Sequence, residues 1–192
     1  MRLDDSAGSQ DSVQTTEGCT VWLTGLPSAG KSTLARATAE VLSGRGRRVE
    51  VLDGDEIRRH LGGALGFDRA GRQANVRRIG WLAEVLARNG VTVLVAAIAP
   101  YAEDRREVQE LHEKAGIAFA EVFVSAPVEC CAARDVKGLY ARQRAGEISG
   151  LTGVDDPYEV PTDPALRLET SQAEVRETVA QLVTYLTSQG MA

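Results

Sequence analysis

The chain has 192 residues, of which 43% are hydrophobic and 26% charged, a composition typical of a water-soluble globular protein with one core. A formal net charge of −5 argues against nucleic-acid binding through bulk positive charge. No apolar run has the length of a membrane span, and no signal peptide is recognisable. We therefore expect a cytoplasmic protein whose partners include neither nucleic acid nor a membrane.

The cysteines and the first residues carry little functional signal. Cys19, Cys130 and Cys131 lack C-x-x-C spacing and His/Cys metal spacing, so we interpret them as reduced thiols. Residues 1–17 are polar and lack hydrophobic periodicity, which predicts a disordered N-terminal arm. Residues 18–190 are predicted to form a single domain.

The strongest motif follows the first predicted strand, the apolar and β-branched residues 19–24. Gly25–Ser32 matches G-x-x-x-x-G-K-[ST], the P-loop, and an amphipathic helix is predicted over 32–42. In this context Lys31 reaches the β- and γ-phosphates of a nucleotide, and the Ser32 hydroxyl binds Mg²⁺. The alternative, a chance glycine turn, is disfavoured by the flanking strand and helix. The predicted nucleotide-binding residues of the loop are Gly25, Ser28, Ala29, Gly30, Lys31, Ser32 and Thr33.

The rest of the chain alternates between strands and helices. Further strands are predicted over 48–52, 91–98, 119–124 and 166–168. Helices are predicted over 57–61, 70–88, 102–114, 128–144 with a break near 136–138, and 173–186. This order predicts a three-layer α/β sandwich of the P-loop NTPase type, in which helices cover both faces of a five-stranded parallel sheet. Residues 145–165 form a long loop, whose length is typical of a functional segment such as a lid.

Two carboxylates directly follow the second predicted strand. The carboxyl ends of parallel strands form an active-site edge, so Asp53 and Asp55 are candidates for metal positioning and for orienting or deprotonating a hydroxyl nucleophile. The alternative is an Asp-Gly turn whose carboxylates are solvated.

Four further side chains are candidates for binding a substrate. Arg58 lies one helical turn after Asp55, and Asn75 and Arg78 are i, i+3 neighbours in the long helix. The alternative for these residues is a solvated helix face. Phe67 could stack on a base, although a lone aromatic residue more often belongs to the core.

Five sequence blocks, in this order, resemble the adenylylsulfate kinase (APS kinase) family over about residues 18–170. They are Asp53-Gly54-Asp55-x-x-Arg58, Leu65-Gly66-Phe67, Asn75-x-x-Arg78, Arg134-Asp135-x-Lys137-Gly138-Leu139-Tyr140 and Thr152-Gly153-x-Asp155-Asp156-Pro157-Tyr158-Glu159. The resemblance implies a kinase that uses ATP and Mg²⁺ to phosphorylate the ribose 3′-hydroxyl of adenosine 5′-phosphosulfate in sulfate assimilation. It also implies a homodimer, with an ATP sulfurylase as a candidate partner.

The resemblance also implies roles for individual residues. Lys31, Asp55 and Lys137 would be catalytic: Asp55 would take or orient the 3′-hydroxyl proton, and Lys137 would meet the phosphosulfate. Asp53 and Ser32 would support Mg²⁺, and Arg134 would stack on the adenine of ATP. Residues of about 137–160 would form a mobile lid. The acceptor nucleotide would contact Asp55, Lys137, Arg58, Phe67, Asn75, Arg78, Ile98, Gly138, Leu139 and Leu151.

Three departures from the family pattern fall on the acceptor side. Ala99 and Ala102 replace the serine and arginine of a common Ser-Pro-Tyr-Arg sequence, and Leu151 replaces a common phenylalanine. Arg105 or Arg106 is a candidate to replace the missing guanidinium. One alternative is therefore a P-loop kinase that acts on another nucleotide or a small alcohol. A nucleotide-binding partner without catalysis is a second alternative, which the retained Lys31, Ser32, Asp55 and Lys137 disfavour.

Overall fold

The computed structural model describes residues 17–61, 63 and 65–192. The predicted N-terminal arm lies outside the described residues, except for Glu17. Within the described residues, no helix is long and apolar enough to cross a membrane.

Among the described residues, five parallel strands form one sheet. The strands are β1 (Cys19–Thr24), β2 (Val49–Asp53), β3 (Thr92–Ala96), β4 (Ala118–Ser125) and β5 (Leu166–Glu169). They lie in the order β2-β3-β1-β4-β5, so the first strand along the chain is the central one, and all six of its residues are buried. The predicted parallel sheet of five strands is confirmed, with bounds that differ from the predicted ones by at most two residues.

Helices cover both faces of the sheet and enclose two hydrophobic clusters. Among the described residues, the helices are α1 (Lys31–Gly44), α2 (Gly54–Leu61), α3 (Arg69–Ala87), α4 (Ala102–Lys114), α5 (Val128–Arg134), α6 (Leu139–Arg144) and α7 (Val175–Ser188). On one face, α1 and α7 pack over the sheet through residues such as Leu34 and Leu182. On the other, α3 and α4 pack over Trp22 through Ile79 and Val108. The three predicted layers are thus present.

The predicted break in the helix over 128–144 is the turn between α5 and α6. Asp135 and Gly138 both have left-handed backbone conformations, with φ of 29° and 67°. The Asp135 carboxylate accepts hydrogen bonds from the backbone N–H groups of Tyr140 and Ala141, at 3.0 and 2.9 Å. Since these N–H groups belong to the first turn of α6, Asp135 stabilises the start of that helix.

Residues 150–159, here called the strap, run back across the domain after α6. The Asp155 carboxylate closes the first turn of the strap by accepting from the backbone N–H groups of Gly150 and Leu151, at 2.8 and 2.6 Å. Further along, the Tyr158 hydroxyl lies 3.0 Å from Oγ1 of Thr24 at the end of β1. The strap half of the predicted lid is therefore hydrogen-bonded to the sheet, and the mobility of the lid stays a prediction.

Substituting a glycine in α3 should destabilise the fold, although alanine favours helices. A Cβ atom on the buried Gly80 would lie 2.6 Å from Cγ2 of Val108, so α3 and α4 would have to separate. We expect Gly80→Ala to lower the free energy of unfolding by about 1–3 kcal/mol in urea denaturation. Gly44→Ala, at the exposed end of α1 where a Cβ meets no atom, is the matched control. It should raise the stability by up to about 1 kcal/mol, and equal effects of the two substitutions would contradict the packing argument.

Candidate active site

A cleft of about 800 Å³ opens at the carboxyl ends of β1, β2 and β3. Its walls are the P-loop, the start of α2, the first half of α3, the segment after β3 and the turn between α5 and α6. Most of the predicted site residues line this cleft. They are Ser28, Ala29, Gly30, Lys31, Ser32, Thr33, Asp53, Asp55, Arg58, Phe67, Asn75, Ile98, Arg134, Lys137 and Leu139.

Lys31 is buried, and its side chain lies against the backbone of the P-loop. Lys31 Nζ donates hydrogen bonds to the carbonyl oxygens of Gly25 and Leu26, at 2.9 and 2.8 Å. Burial lowers the pKa of Lys31 to about 8, and the charges of Lys137, Asp55 and Asp53 also act on it. Gly30 has a φ of 103° and directly precedes α1, so the loop ends at a helix N-terminus, which favours anions.

Oxygen donors suited to a magnesium ion lie beside the P-loop. Ser32 Oγ donates to Oδ2 of Asp53 at 2.6 Å, which leaves the lone pairs of the hydroxyl oxygen available to a cation. Burial works against ionisation of Asp53, but the bonds from Ser32 and the backbone N–H of Asp55 outweigh it, and the pKa of Asp53 is lowered. The described residues contain no cluster of three or more His, Cys, Asp or Glu side chains suited to a metal. This sparse oxygen set fits Mg²⁺, which is commonly bound by one or two carboxylates together with water and substrate phosphates.

An ion pair connects α2 with the turn between α5 and α6. Lys137 Nζ pairs with Oδ2 of Asp55, and both side chains are more than half exposed. Because Asp53, directly before α2, is bonded to Ser32, the pair lies next to the phosphate loop. A carboxylate, an ammonium group and the P-loop thus lie close together, an arrangement suited to phosphoryl transfer to a hydroxyl.

An aromatic ring and a guanidinium also line the cleft. Cζ of Arg58 lies 4.7 Å from the centroid of the Phe67 ring, and Phe67 is 71% exposed. This exposure excludes the alternative of Phe67 as a core residue, and leaves the ring available to a flat ligand. Asn75 is 7% exposed, its Nδ2 donates to Gly54 O at 3.4 Å, and its buried Oδ1 has no partner among the described atoms.

Arg72 is a cleft residue that the sequence analysis did not select. Its guanidinium donates to the Thr152 hydroxyl and the Gly150 carbonyl, and its Nη1 lies 3.4 Å from Asp156 Oδ2. Its Nε donates to Phe67 O at 2.6 Å. Arg72 therefore connects the strap with the loop that carries Phe67. The local sequence contains no signal for this role, since the strap partners lie 78 to 84 positions away along the chain.

Four predicted site residues lie off the cleft lining formed by the described residues. Arg78 turns toward the end of α2, where it donates to the Leu61 carbonyl. Leu151 is buried in the hydrophobic cluster under α1 and α7, and Gly138 is the left-handed residue before α6. Gly25 lies behind the loop, where a Cβ would meet the Val124 carbonyl. Contacts of these four residues with a ligand stay predictions.

The two arginines suggested as substitutes for a missing guanidinium do not line the cleft of the described chain. Arg105 is 3% exposed and bonded inside the domain, whereas Arg106 is exposed and pairs with Glu110 at 3.7 Å. Ala102 begins α4, and its backbone N–H donates to the Glu159 carboxylate at 2.7 Å. The cation that the structure supplies at the strap side of the cleft is Arg72.

The sequence matches a known protein family over most of its length. The family model described as "Adenylylsulphate kinase" matches residues 17–169. An adenylyl-sulfate kinase of Picosynechococcus sp. is 50% identical over 173 residues, which cover 90% of this chain and 96% of the relative. An adenylyl-sulfate kinase of Deinococcus deserti is 52% identical over 169 residues, covering 88% and 91%.

A solved structure gives the same result for the fold. The APS kinase of Mycobacterium tuberculosis in complex with AMPPNP and APS superimposes with a TM-score of 0.87 at 44% identity. The alignment covers 90% of this chain and 99% of that one. The structural similarity therefore extends over most of the chain.

Nucleotide affinity should decrease above pH 8, because the buried Lys31 is cationic below its pKa of about 8 and neutral above it. Bound phosphates favour the cation, so the Kd for Mg·ATP should rise by up to about tenfold per pH unit above that pKa. Isothermal titration calorimetry between roughly pH 7 and pH 9.5 measures the effect. In Lys31→Arg, which remains charged, the dependence should disappear even though affinity is lower. A constant wild-type Kd would contradict the assignment.

Proposed function

This chain belongs to the adenylylsulphate kinase family, and we propose that it transfers the γ-phosphoryl group of ATP to the ribose 3′-hydroxyl of adenosine 5′-phosphosulfate. The product would be 3′-phosphoadenosine 5′-phosphosulfate. The observation that carries the proposal is the convergence of Lys31, Asp53, Asp55 and Lys137 in one cleft with an exposed aromatic ring. The four charged side chains suit the binding of a triphosphate and the transfer of its terminal phosphoryl group. The aromatic ring suits the base of a second nucleotide.

In the donor half of the site, the P-loop would bind ATP. The backbone N–H groups of the loop and the start of α1 would surround the phosphates, and Lys31 would turn from the loop carbonyls to the β- and γ-phosphates. Arg134, whose side chain donates to the Thr170 carbonyl at the edge of the cleft, would lie against the adenine.

Ser32 and Asp53 would hold Mg²⁺ at the phosphates. When bound, the ion neutralises charge on the β- and γ-phosphates and on the transferred group. Asp53 performs two tasks in this scheme, since Oδ2 orients the Ser32 hydroxyl and Oδ1 accepts the backbone N–H of Asp55 at 3.0 Å. It thereby connects the donor phosphates with the start of α2, where the acceptor half begins.

In the acceptor half, Asp55 would orient the 3′-hydroxyl and accept its proton, and Lys137 would stabilise the phosphosulfate and the developing charge. Phe67 would stack on the adenine of the acceptor, with Arg58 and Asn75 beside it. The unpartnered Oδ1 of Asn75 offers a buried acceptor to a hydroxyl or amino group of that nucleotide. A lid that includes Lys137 would exclude water, which would otherwise receive the phosphoryl group. A homodimer and an ATP sulfurylase partner stay predictions.

The proposed acceptor is tested by a coupled ADP-release assay with Mg·ATP. Adenosine 5′-phosphosulfate, AMP, adenosine, CMP and no acceptor are compared. We expect rapid turnover with adenosine 5′-phosphosulfate alone, since Lys137 and the cations near Phe67 suit its phosphosulfate group. If turnover is absent with this acceptor and present with another, the chain is still a kinase, but the proposed acceptor is wrong. The departures at Ala99 and Leu151 would then reflect a different acceptor.

Replacing Asp55 by asparagine should reduce kcat far more than it affects binding of ATP. The amide keeps the size of the side chain but cannot accept a proton or pair with Lys137, so we expect kcat to fall by about 10²–10⁴-fold. Steady-state kinetics with both substrates measures the effect. The control is Glu50→Gln, an exposed carboxylate of β2, which should leave kcat within about twofold. A decrease of less than about tenfold in Asp55→Asn would show that Asp55 is not the base.

A further inference from the structure

The wall of the acceptor half of the cleft is a segment without regular secondary structure. Residues 97–100 follow β3 and line the same cleft as Asn75 and Phe67. Ala99 in this wall has a φ of 44°, a left-handed conformation that a residue with a Cβ atom rarely adopts. Such a backbone persists only where its surroundings hold it in place, so the contacts of Ala99 identify what shapes the wall.

One buried guanidinium holds Ala99 from behind. Arg105, in the first turns of α4, is 3% exposed, and its Nη1 donates to the Ala99 carbonyl at 2.8 Å. Its Nη2 donates to the Glu159 carbonyl at 2.8 Å, and its Nε donates to Oε1 of Glu121 in β4 at 2.6 Å. Three edges of the guanidinium therefore bind the wall, the strap and the sheet, and the carboxylate compensates the buried charge.

A second set of contacts joins the same wall to the strap. The Thr24 hydroxyl donates to Ile98 O at 2.6 Å and also lies 3.0 Å from the Tyr158 hydroxyl. The backbone N–H of Glu159 donates to Pro100 O at 2.8 Å. Burial raises the pKa of Tyr158 to about 12, so its hydroxyl stays protonated and can donate in this network. Hydrogen bonds thus join the wall to the end of the strap, through Thr24 at Ile98 and directly at Pro100. Arg105 binds both segments from inside the domain.

We propose that Arg105 is a positioning residue for the acceptor nucleotide: it touches no substrate, but it fixes the cleft wall at Ile98–Pro100 and the end of the strap. The inference rests on the proposed function and extends it to a residue outside the cleft. Among the described residues, Arg105 forms no hydrogen bond or ion pair with the P-loop, so we expect the donor half to depend on it far less than the acceptor half does. Loss of the guanidinium should consequently weaken the acceptor half and leave the ATP half intact.

The test is the pair of KM values in Arg105→Lys. A lysine keeps the charge near Glu121 but cannot bind three acceptors in the fixed directions of a guanidinium. We expect KM for adenosine 5′-phosphosulfate to rise by about tenfold or more, with KM for ATP changed by less than about twofold. The matched control is Arg106→Lys on the exposed side of the same helix, which should leave both values unchanged.

A purely structural role would give a different pattern. It would reduce the amount of folded enzyme and kcat, but would leave both KM values as they are, because KM does not depend on the enzyme concentration. That pattern, or an equal rise in both KM values, would overturn the proposal. If Arg105→Lys yields no soluble protein, Glu121→Gln decides, since it weakens the charge partner while keeping a hydrogen-bond acceptor. A rise confined to the acceptor KM supports the proposal, and unchanged values contradict it.

The two proposals can fail separately in this experiment. Wild-type enzyme that does not turn over adenosine 5′-phosphosulfate would count against the proposed function. Normal wild-type turnover together with unchanged KM values in Arg105→Lys would count against the role of Arg105 alone.

Discussion

The register of the three strands at the cleft determines where the P-loop, the carboxylates at the end of β2 and the start of α2, and the cleft wall after β3 lie. Ala96 in β3 pairs with Leu23 in β1 on one side and with Asp53 in β2 on the other. The strands therefore end at one level, and the residues that follow them start from neighbouring points. This brings the P-loop after β1, the carboxylates of β2 and α2, and the wall after β3 to one edge. The location of the site therefore follows from the parallel arrangement of the backbone, whichever side chains line it.

The protonation of Lys31 at this edge depends on its burial and on the charges of neighbouring side chains. Lys31 is buried among the loop carbonyls, which lowers its pKa and means that its positive charge is costly in the folded protein. The carboxylates of Asp53 and Asp55 reduce that cost, and Lys137 raises it again. A polyphosphate would add the negative charge that this cluster lacks. The buried Lys31 is therefore suited to binding an anionic ligand at a cost to the stability of the fold, which is a common relation between stability and function.

Much of the fold could be predicted from the sequence because its signals are local. The P-loop, the run of apolar residues in β3 and the glycine break between α5 and α6 each lie within a few consecutive positions. The roles of Arg72 and Arg105 could not be predicted in this way. Their partners include Thr152 and Glu159, more than 50 positions away, and an arginine in a charged helix gives no sign of such a contact. Leu151 illustrates the same limit, since nothing in the local sequence indicates that it is buried in the core beneath the strap.

The two ends of the strap are held by different arginines, and only one of these arginines lines the cleft. Arg105 binds the end at Glu159 from inside the domain, where three hydrogen bonds, one of them to the Glu121 carboxylate, leave the guanidinium little freedom. Arg72 binds the other end, from Gly150 to Asp156, and at the same time lines the cleft beside Phe67. A ligand in the acceptor half therefore meets an arginine that already bonds to the strap. Any shift of Arg72 on binding must change the strap at that end, while Arg105 holds the other end in place. Acceptor binding would therefore be coupled to the geometry of the strap through Arg72, while Arg105 holds the end of the strap at Glu159.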